Sequence, residues 1–257
     1  MRYFIILYVV LFISPIKISG QRKLQSFQNN ADFQWKTDTI DTNVVIYFEQ
    51  SSYAEKHKDV LKKRIKHFLN NTVKFIGDEN YNNSIHYFIL DSRNKMKQLI
   101  GYEANGVTFV KDAIIAAVFS ESVNAVYSHH ELFHLIAANS WGTPKIWVNE
   151  GMAVFADNRW RGYDLHQLSK FLIDRGNYIS INDISKNFKK YDSMVTYPLL
   201  GSFVKFIDET YGRDTLKILW RNNSKKIEKR LGKSVLDLEN EWLKMLDTIT
   251  YTDIDYP

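Results

Sequence analysis

His130, Glu131 and His134 lie within the sequence HELFH, and their spacing could assemble a metal site. Residues four apart on an α-helix lie on the same face, so both imidazoles can bind one metal ion. Glu131 directly follows the first histidine, where its carboxylate can take a proton from water that the metal activates. Two histidine ligands with an adjacent general base are the arrangement of a zinc hydrolase. Because this pattern arises by chance in about one chain in a hundred of this length, the neighbouring sequence has to support it.

A zinc site of this kind needs a third ligand on an element that returns to the first helix. A metzincin zinc peptidase would have glycine and histidine where this chain has Ala137 and Ser140, which excludes that class. Glu150 follows sixteen residues after His134, inside the apolar run WVNEGMAVF at 147–155. Two histidines and one glutamate leave a fourth zinc position open, as catalysis requires. The alternative role for Glu150 is that of a helix N-terminal carboxylate stabilised by the helix dipole.

The segment that carries the motif is predicted to be a buried helix over residues 122–139. Apolar side chains surround both histidines over most of the helix circumference, whereas a surface helix would show a polar face. These apolar residues are Val123, Val126, Tyr127, Leu132, Phe133, Leu135 and Ile136. Burial of Glu131 without a partner would be costly, and a metal ion supplies that partner. The alternative is a pair of core histidines with a chance glutamate beside them.

The composition restricts which metal sites are possible. At 257 residues the chain can bury a full core, as one large domain or two small ones. It contains no cysteine, which excludes disulfides, cysteine catalysis and cysteine-rich zinc sites, so a metal must be held by histidine and carboxylate. The net charge of +5 comes from scattered lysines. Without a nucleic-acid-binding motif, we do not expect nucleic acid as a partner.

The first twenty residues have the layout of a secretory signal peptide. Arg2 supplies a positive start, residues 3–13 are apolar or aromatic, and a polar stretch begins at Gln21. The apolar run is too short for a comfortable membrane span, although an uncleaved anchor is the alternative. We therefore expect an exported protein, periplasmic, in the cell envelope or secreted, without stable membrane insertion after the signal is removed. Residues 21–40 are expected to be an irregular lead-in.

Residues 41–250 are interpreted as a single α+β domain, with an α/β lobe over 41–121 and a helical lobe over 122–250. The first lobe is predicted to have the order β-α-β-α-β-β with a mixed sheet. Its strands are expected at 44–48, 84–90, 107–110 and 114–119, and its helices at 53–76 and 92–100. In the helical lobe, further helices are expected at 147–157, 165–174, 197–211, 214–220 and 234–246.

HELFH followed by WVNEGMAVF resembles the gluzincin metallopeptidases, and among them the peptidase-MA-like domain family. Residues 197–207, the Tyr-Gly pair at 211–212 and residues 231–243 are similar to later segments of that family. The resemblance implies a thermolysin-like fold with one zinc ion between the two lobes. It assigns His130, His134 and Glu150 as zinc ligands and Glu131 as the general base. No G-x-M-E-N segment is present, so aminopeptidase chemistry is not assigned.

Several other residues have a possible role beside the metal. In several gluzincins a tyrosine or histidine holds the oxyanion, which makes Tyr197 a second catalytic candidate, with a core tyrosine as the alternative. Asn149 and Asp157 could orient a ligating imidazole, or could be surface residues. His166 could compete as a ligand from a more polar segment. His129 is expected to point away, because adjacent residues do not share a helix face.

The sequence therefore predicts an exported zinc metallopeptidase that hydrolyses a peptide or protein substrate. In the gluzincins an edge strand beside the cleft precedes the motif helix, and residues 114–118 occupy that place, where they could pair with an extended peptide. A secreted zinc-binding scaffold that has lost turnover is the main alternative, and a hydrolase of non-peptide bonds is another. The oligomeric state and the substrate preference stay open.

Overall fold

The computed structural model describes residues 19–123, 127–221 and 224–256. Residues 1–18 of the predicted signal peptide lie outside the described residues. Contacts divide the protein into two compact units, with the division between Ser140 and Trp141. In the described ranges, no helix is long and apolar enough to cross a membrane.

A five-stranded mixed sheet forms the centre of the first unit. Its strands are β1 (Trp35–Ile40), β2 (Val44–Glu49), β3 (Ile85–Leu90), β4 (Gly106–Phe109) and β5 (Ile114–Val118). They are arranged in the order β1-β2-β3-β5-β4, with antiparallel pairs at the two ends and parallel pairs between them. Every residue of β4 and β5 is buried. The α+β class and the mixed sheet that the sequence predicts are confirmed.

Three of the helices in this unit begin or end at residue types that helix termini prefer. They are α1 (Ser19–Gln28), α2 (Tyr53–Lys56), α3 (Lys58–Ile76), α4 (Arg93–Ile100) and α5 (Tyr127–Trp141), the last of which reaches the division. The side chains of Ser52 and Ser92 accept hydrogen bonds from backbone N–H groups at the starts of α2 and α4. Gly77 and Gly101 end α3 and α4 in the left-handed conformation that glycine adopts without strain.

The motif helix α5 begins later than the sequence predicts. Residues 121–123 are not helical, and the helix is described from Tyr127. The sequence grouped this helix with the helical lobe from residue 122, whereas the contacts group all but its last residue with the first unit. The rings of Phe75 on α3 and Phe133 on α5 pack edge to face, with centroids 5.8 Å apart, which ties the two helices together. The interpretation of residues 41–250 as one domain stays a prediction.

The expectation of an irregular lead-in over residues 21–40 was wrong. The structure places α1 and β1 there, joined by a short turn. Phe27 of α1 is 4% exposed and meets Phe88 of β3 edge to face, with ring centroids 5.2 Å apart. Trp35 of β1 stacks on Phe33 at 4.9 Å. These few aromatic side chains pack an otherwise polar segment against the sheet. The segment has too few apolar residues to show a period, so α1 and β1 were not predicted.

The second unit is mainly helical. Its helices are α6 (Ile146–Asp157), α7 (Leu165–Asp174), α8 (Ile181–Asn187), α9 (Ser193–Tyr211), α10 (Arg213–Trp220), α11 (Ser224–Leu231) and α12 (Val235–Leu246). Strands β6 (Arg159–Trp160) and β7 (Tyr163–Asp164) form a small hairpin. The helices at α6, α7, α9, α10 and α12 match the predicted ones within a few residues. The short elements α8, α11 and the hairpin were not predicted, because their apolar runs are too brief to show a period.

Helices α6 and α9 approach closely through two glycines. A Cβ atom on Gly151 of α6 would lie 3.0 Å from Cβ of Leu200 and 3.1 Å from its carbonyl oxygen. A Cβ atom on Gly201 of α9 would lie 2.6 Å from Cγ1 of Val154. Neither glycine has the positive φ that would require glycine on backbone grounds. The missing side chains therefore set the distance between the two helices, one of which carries Glu150.

We expect Gly201→Ala to lower the free energy of unfolding by about 1–3 kcal/mol, the usual cost of overpacking a core. The new methyl group would overlap Val154, whose short branched side chain cannot swing away. Denaturant unfolding should show this loss, and Val154→Ala in the same chain should recover part of it by making room. A Gly201→Ala protein as stable as the wild type would contradict the close approach of α6 and α9.

Candidate metal centre

Helix α5 places three buried ionisable side chains within one and a half turns. His130 is 4% exposed, Glu131 is 1% exposed and His134 is 1% exposed. The rings of His130 and His134 are perpendicular, with centroids 4.5 Å apart. This is the same-face arrangement that the spacing of four predicts. His129 points to α3, where it stacks on Phe68 with ring centroids 5.1 Å apart, as expected for a neighbour that does not share the helix face of His130 and His134.

Glu150 lies in α6, whose residues from Trp147 to Phe155 are all buried. The helix begins at Ile146, and no acidic residue lies in its first turn. Glu150 is therefore beyond the range in which a helix dipole stabilises a carboxylate. Because its side chain is completely buried, the explanation as a helix N-terminal carboxylate does not hold.

The consecutive helices α5 and α6 bring the three predicted ligands together. One ligand atom from each of His130, His134 and Glu150 lies within 4.8 Å of the other two. Two imidazoles and one carboxylate are a donor set that zinc prefers, and their burial matches a site that excludes bulk water. The residues present thus fit a zinc ion, and three ligands leave one tetrahedral position open.

The carboxylate of Glu131 contacts β4. The Thr108 hydroxyl donates a hydrogen bond to Oε2 of Glu131 at 2.6 Å, and it lies 3.0 Å from the carbonyl oxygen of the same residue. Gly106, two residues earlier on the strand, leaves the space that Oε1 occupies, since a Cβ there would lie 2.6 Å from that atom. Glu131 is therefore held on the sheet side of α5 by a strand that sequence reasoning did not connect with it.

Tyr102 is a further residue that the sequence did not single out, and it lies within electrostatic range of Glu131. Its hydroxyl oxygen is buried and has no hydrogen-bond partner among the residues that the structure describes. Burial raises the pKa of Tyr102, and the negative charge of Glu131 raises it further. The hydroxyl thus keeps its proton within electrostatic range of the carboxylate. Tyr102 becomes a candidate for contact with substrate, although no local sequence pattern marks it.

The remaining candidates have less support from the structure. Tyr197 is 2% exposed, and its ring lies 5.0 Å from that of Trp160 and 5.7 Å from that of Phe188. These contacts suit a core tyrosine, and its role beside the oxyanion stays a prediction. Asn149 is buried, but its side chain makes no hydrogen bond within the described ranges, so the structure does not show it orienting a histidine. The role of Asp157 stays a prediction.

His166 lies outside the ligand group and has its own partners in the second unit. Its Nδ1 is 2.8 Å from the Ser202 hydroxyl, and its Nε2 is 3.1 Å from Oε2 of Glu209. The Trp242 indole N–H donates to the same Ser202 oxygen at 2.9 Å. Because an indole can only donate, the Ser202 proton is free to bond Nδ1. This arrangement places the imidazole proton on Nε2, facing Glu209, in the neutral ring.

We expect the His166 network to weaken the folded state at acid pH. Burial lowers the pKa of His166 and the Lys205 charge does the same, while Glu209 and Asp164 oppose them. The pKa of His166 in the folded state is therefore lower than its unfolded value of about 6.5. The folded state has the full stability of this network above the unfolded pKa, and it loses that stability as the pH falls through the folded pKa. Denaturant unfolding from about pH 7.5 to 4.5 should therefore show a smaller acid loss in His166→Gln than in the wild type. His86, whose pKa burial also lowers, contributes to both curves and cancels. Parallel curves would contradict this role.

Comparison with known proteins does not establish a family. No family model and no curated protein sequence matches the chain. One similar solved structure is an aminopeptidase N family protein from Idiomarina loihiensis, at a TM-score of 0.40 and 12% identity. The similarity covers 87% of this chain and 45% of that one, so the chain spans less than half the length of that protein. At this level the similarity carries no argument about activity, and the site has to be interpreted from its own residues.

The expected edge strand needs a correction. The sequence placed an edge strand at 114–118, but β5 (Ile114–Val118) pairs with β3 on one side and with β4 on the other. Among the described residues, β4 is the outer strand at this end of the sheet. A tight 3₁₀ turn after β4 lets β4 pair with β5 as a hairpin. Since β5 also pairs with β3, β4 lies at the outside of the sheet. Strand order depends on such pairings, which the apolar pattern of a single strand does not reveal.

Proposed function

We propose that this protein is a zinc-dependent metallopeptidase of the gluzincin type, with a thermolysin-like arrangement of its zinc site. The observation that carries the proposal is the group of His130, His134 and Glu150, three buried side chains whose ligand atoms lie within 4.8 Å of one another. Glu131, on the same helix as the two histidines, supplies the base that such a hydrolase needs. A pair of core histidines with a chance glutamate would not require a buried carboxylate from the next helix.

The chemistry divides between the metal and the chain. A zinc ion, when bound, supplies a Lewis acid that polarises the scissile carbonyl and makes water acidic near neutral pH. Glu131 accepts the proton of the attacking water and afterwards delivers it to the leaving amine. Burial of this carboxylate keeps competing water away and strengthens its interactions with the reacting groups. We assign Tyr197, and now also Tyr102, as candidate hydrogen-bond donors to the substrate carbonyl oxygen.

We further propose that the substrate is a peptide or protein segment in extended conformation. Since β4 is the last strand of the sheet, it has one side without a partner strand in the described sheet. An extended peptide can add to such an edge by main-chain hydrogen bonds. We propose no nucleic-acid partner for this protein. We also propose that the protein is exported to the envelope or the medium and is not inserted in a membrane after the signal is removed. The proposed export is supported by the sequence of residues 1–20.

Metal analysis and proteolysis of the purified mature protein test the function. We expect about one zinc ion per chain, cleavage of casein or of a peptide library, loss of cleavage with a chelator and recovery with added zinc. Bound zinc without turnover on broad peptide libraries would favour the alternative of a zinc-binding scaffold. Absence of any bound metal after growth with zinc would overturn the proposal.

A further inference from the structure

Two residues of β4, Gly106 and Thr108, accommodate the carboxylate of Glu131. Gly106 and Thr108 are two positions apart on the strand, and side chains at such positions point to the same face of a sheet. That face meets α5 at Glu131, twenty-three positions later than Thr108. One oxygen of the carboxylate accepts a hydrogen bond from the strand, and the other occupies the space that a side chain at Gly106 would need.

The absence of a side chain at Gly106 is explained by space rather than by backbone conformation. Its φ is not in the positive range that favours glycine. A Cβ atom there would lie 2.6 Å from Oε1, 2.9 Å from Cγ and 3.0 Å from Cδ of Glu131. Real Cβ atoms do not approach other heavy atoms so closely, so the carboxylate would have to move. Glycine at this position therefore permits the observed orientation of Glu131.

The hydroxyl of Thr108 fixes the other oxygen. It is buried, since Thr108 is 1% exposed, and its two nearest acceptors belong to Glu131. A carboxylate and a carbonyl can only accept, so the hydroxyl proton is donated to Glu131. The shorter distance, 2.6 Å, is the one to the carboxylate, as expected for a bond to a charged acceptor. Valine has nearly the same shape as threonine but cannot make this bond.

We infer that Gly106 and Thr108 are positioning residues that fix the general base of the proposed hydrolase. The inference rests on the proposed function, because it concerns the orientation of Glu131 during proton transfer. A base that is misplaced by about 1 Å can lose on the order of a hundredfold in rate. Neither residue touches substrate in this role. The competing explanation is that Thr108 only satisfies a buried carboxylate and contributes to stability.

Turnover of the zinc-loaded protein separates the two explanations. We expect Thr108→Val to lower kcat by about tenfold to a hundredfold, with KM and zinc content unchanged, and Thr108→Ser to restore most of the rate. Thr215→Val is the matched control, because Thr215 is also buried and its hydroxyl donates to the Tyr211 carbonyl at 2.9 Å. It should lower stability without changing kcat. An equal kcat in Thr108→Val and the wild type would overturn the inference while leaving the proposed function intact.

A second measurement does not depend on activity. Gly106→Ala should lower the melting temperature by a few degrees, because its methyl group meets Glu131. In a protein that already carries Glu131→Ala, the side-chain atoms that the new methyl group would meet are absent. Gly106→Ala should then leave the melting temperature almost unchanged. A penalty of equal size in both backgrounds would show that Gly106 does not make room for the carboxylate, and would overturn its part of the inference. If the wild-type protein binds zinc but cleaves nothing, the proposed function fails and the catalytic role of both residues fails with it.

Discussion

Glu131→Gln is expected to lower turnover by about a hundredfold to ten-thousandfold while the protein keeps its zinc, the range that a general base typically contributes. The amide has almost the same shape as the carboxylate, and its oxygen can still accept the hydrogen bond that Thr108 donates at 2.6 Å in the native protein. What it loses is the ability to take a proton from water. Rates of peptide cleavage, measured with zinc content on the same samples, give the result.

The control for this substitution is a second buried glutamate far from the motif in the sequence. Glu239 is 1% exposed, and its Oε1 accepts hydrogen bonds from the Tyr178 hydroxyl and the backbone N–H of Ile181. Glu239→Gln replaces a buried carboxyl group by an amide without touching α5. It should change stability and leave kcat unchanged. If the Glu131 variant retains wild-type turnover, the carboxylate is not the base and the assigned mechanism is wrong.

The sequence points to the three candidate ligands because each of them lies in a strongly apolar helix, where an ionisable side chain stands out. Glu150 is a candidate from the amino-acid sequence because it lies inside the apolar run WVNEGMAVF, sixteen residues after His134, where a second helix can pack back on the first. The structure confirms that it is buried and that its ligand atom lies close to those of His130 and His134. Local sequence can thus predict that an ionisable residue is buried when the residues on both sides of it are apolar.

The hydrogen bonds of Glu131 and His166 could not be predicted, because they join residues distant in the chain. The hydroxyl that holds Glu131 comes from a strand twenty-three positions earlier, and the partners of His166 lie thirty-six and forty-three positions later. The order of the strands could not be predicted for the same reason. The sequence of a four-residue strand such as β4 does not indicate which strand it pairs with. The helix α1 was missed for another reason, namely that a few aromatic contacts outweigh its polar composition.

Loss of one ligand is the second large effect, and it distinguishes a metal site from a cluster of core histidines. His134→Ala should reduce bound zinc from about one ion per chain to nearly none and abolish cleavage, because two remaining ligands do not hold a catalytic zinc ion. Glu150→Gln should weaken zinc binding as well, since the neutral amide replaces a charged ligand. Metal analysis after dialysis, together with the zinc dependence of the melting temperature, measures both effects.

His129→Phe is the matched control, because His129 belongs to the same helix and stacks on Phe68 with planes only 3° apart. A phenyl ring can keep that stacking, so this variant should retain its zinc and its melting temperature should still rise when zinc is added. If His134→Ala binds as much zinc as the wild type, the ligand set is wrong. If instead the wild type and the variant both lack zinc and melt at the same temperature with and without it, the histidines are core residues. Only a selective loss at His134 and Glu150, with His129→Phe unaffected, supports the zinc site on α5 and α6.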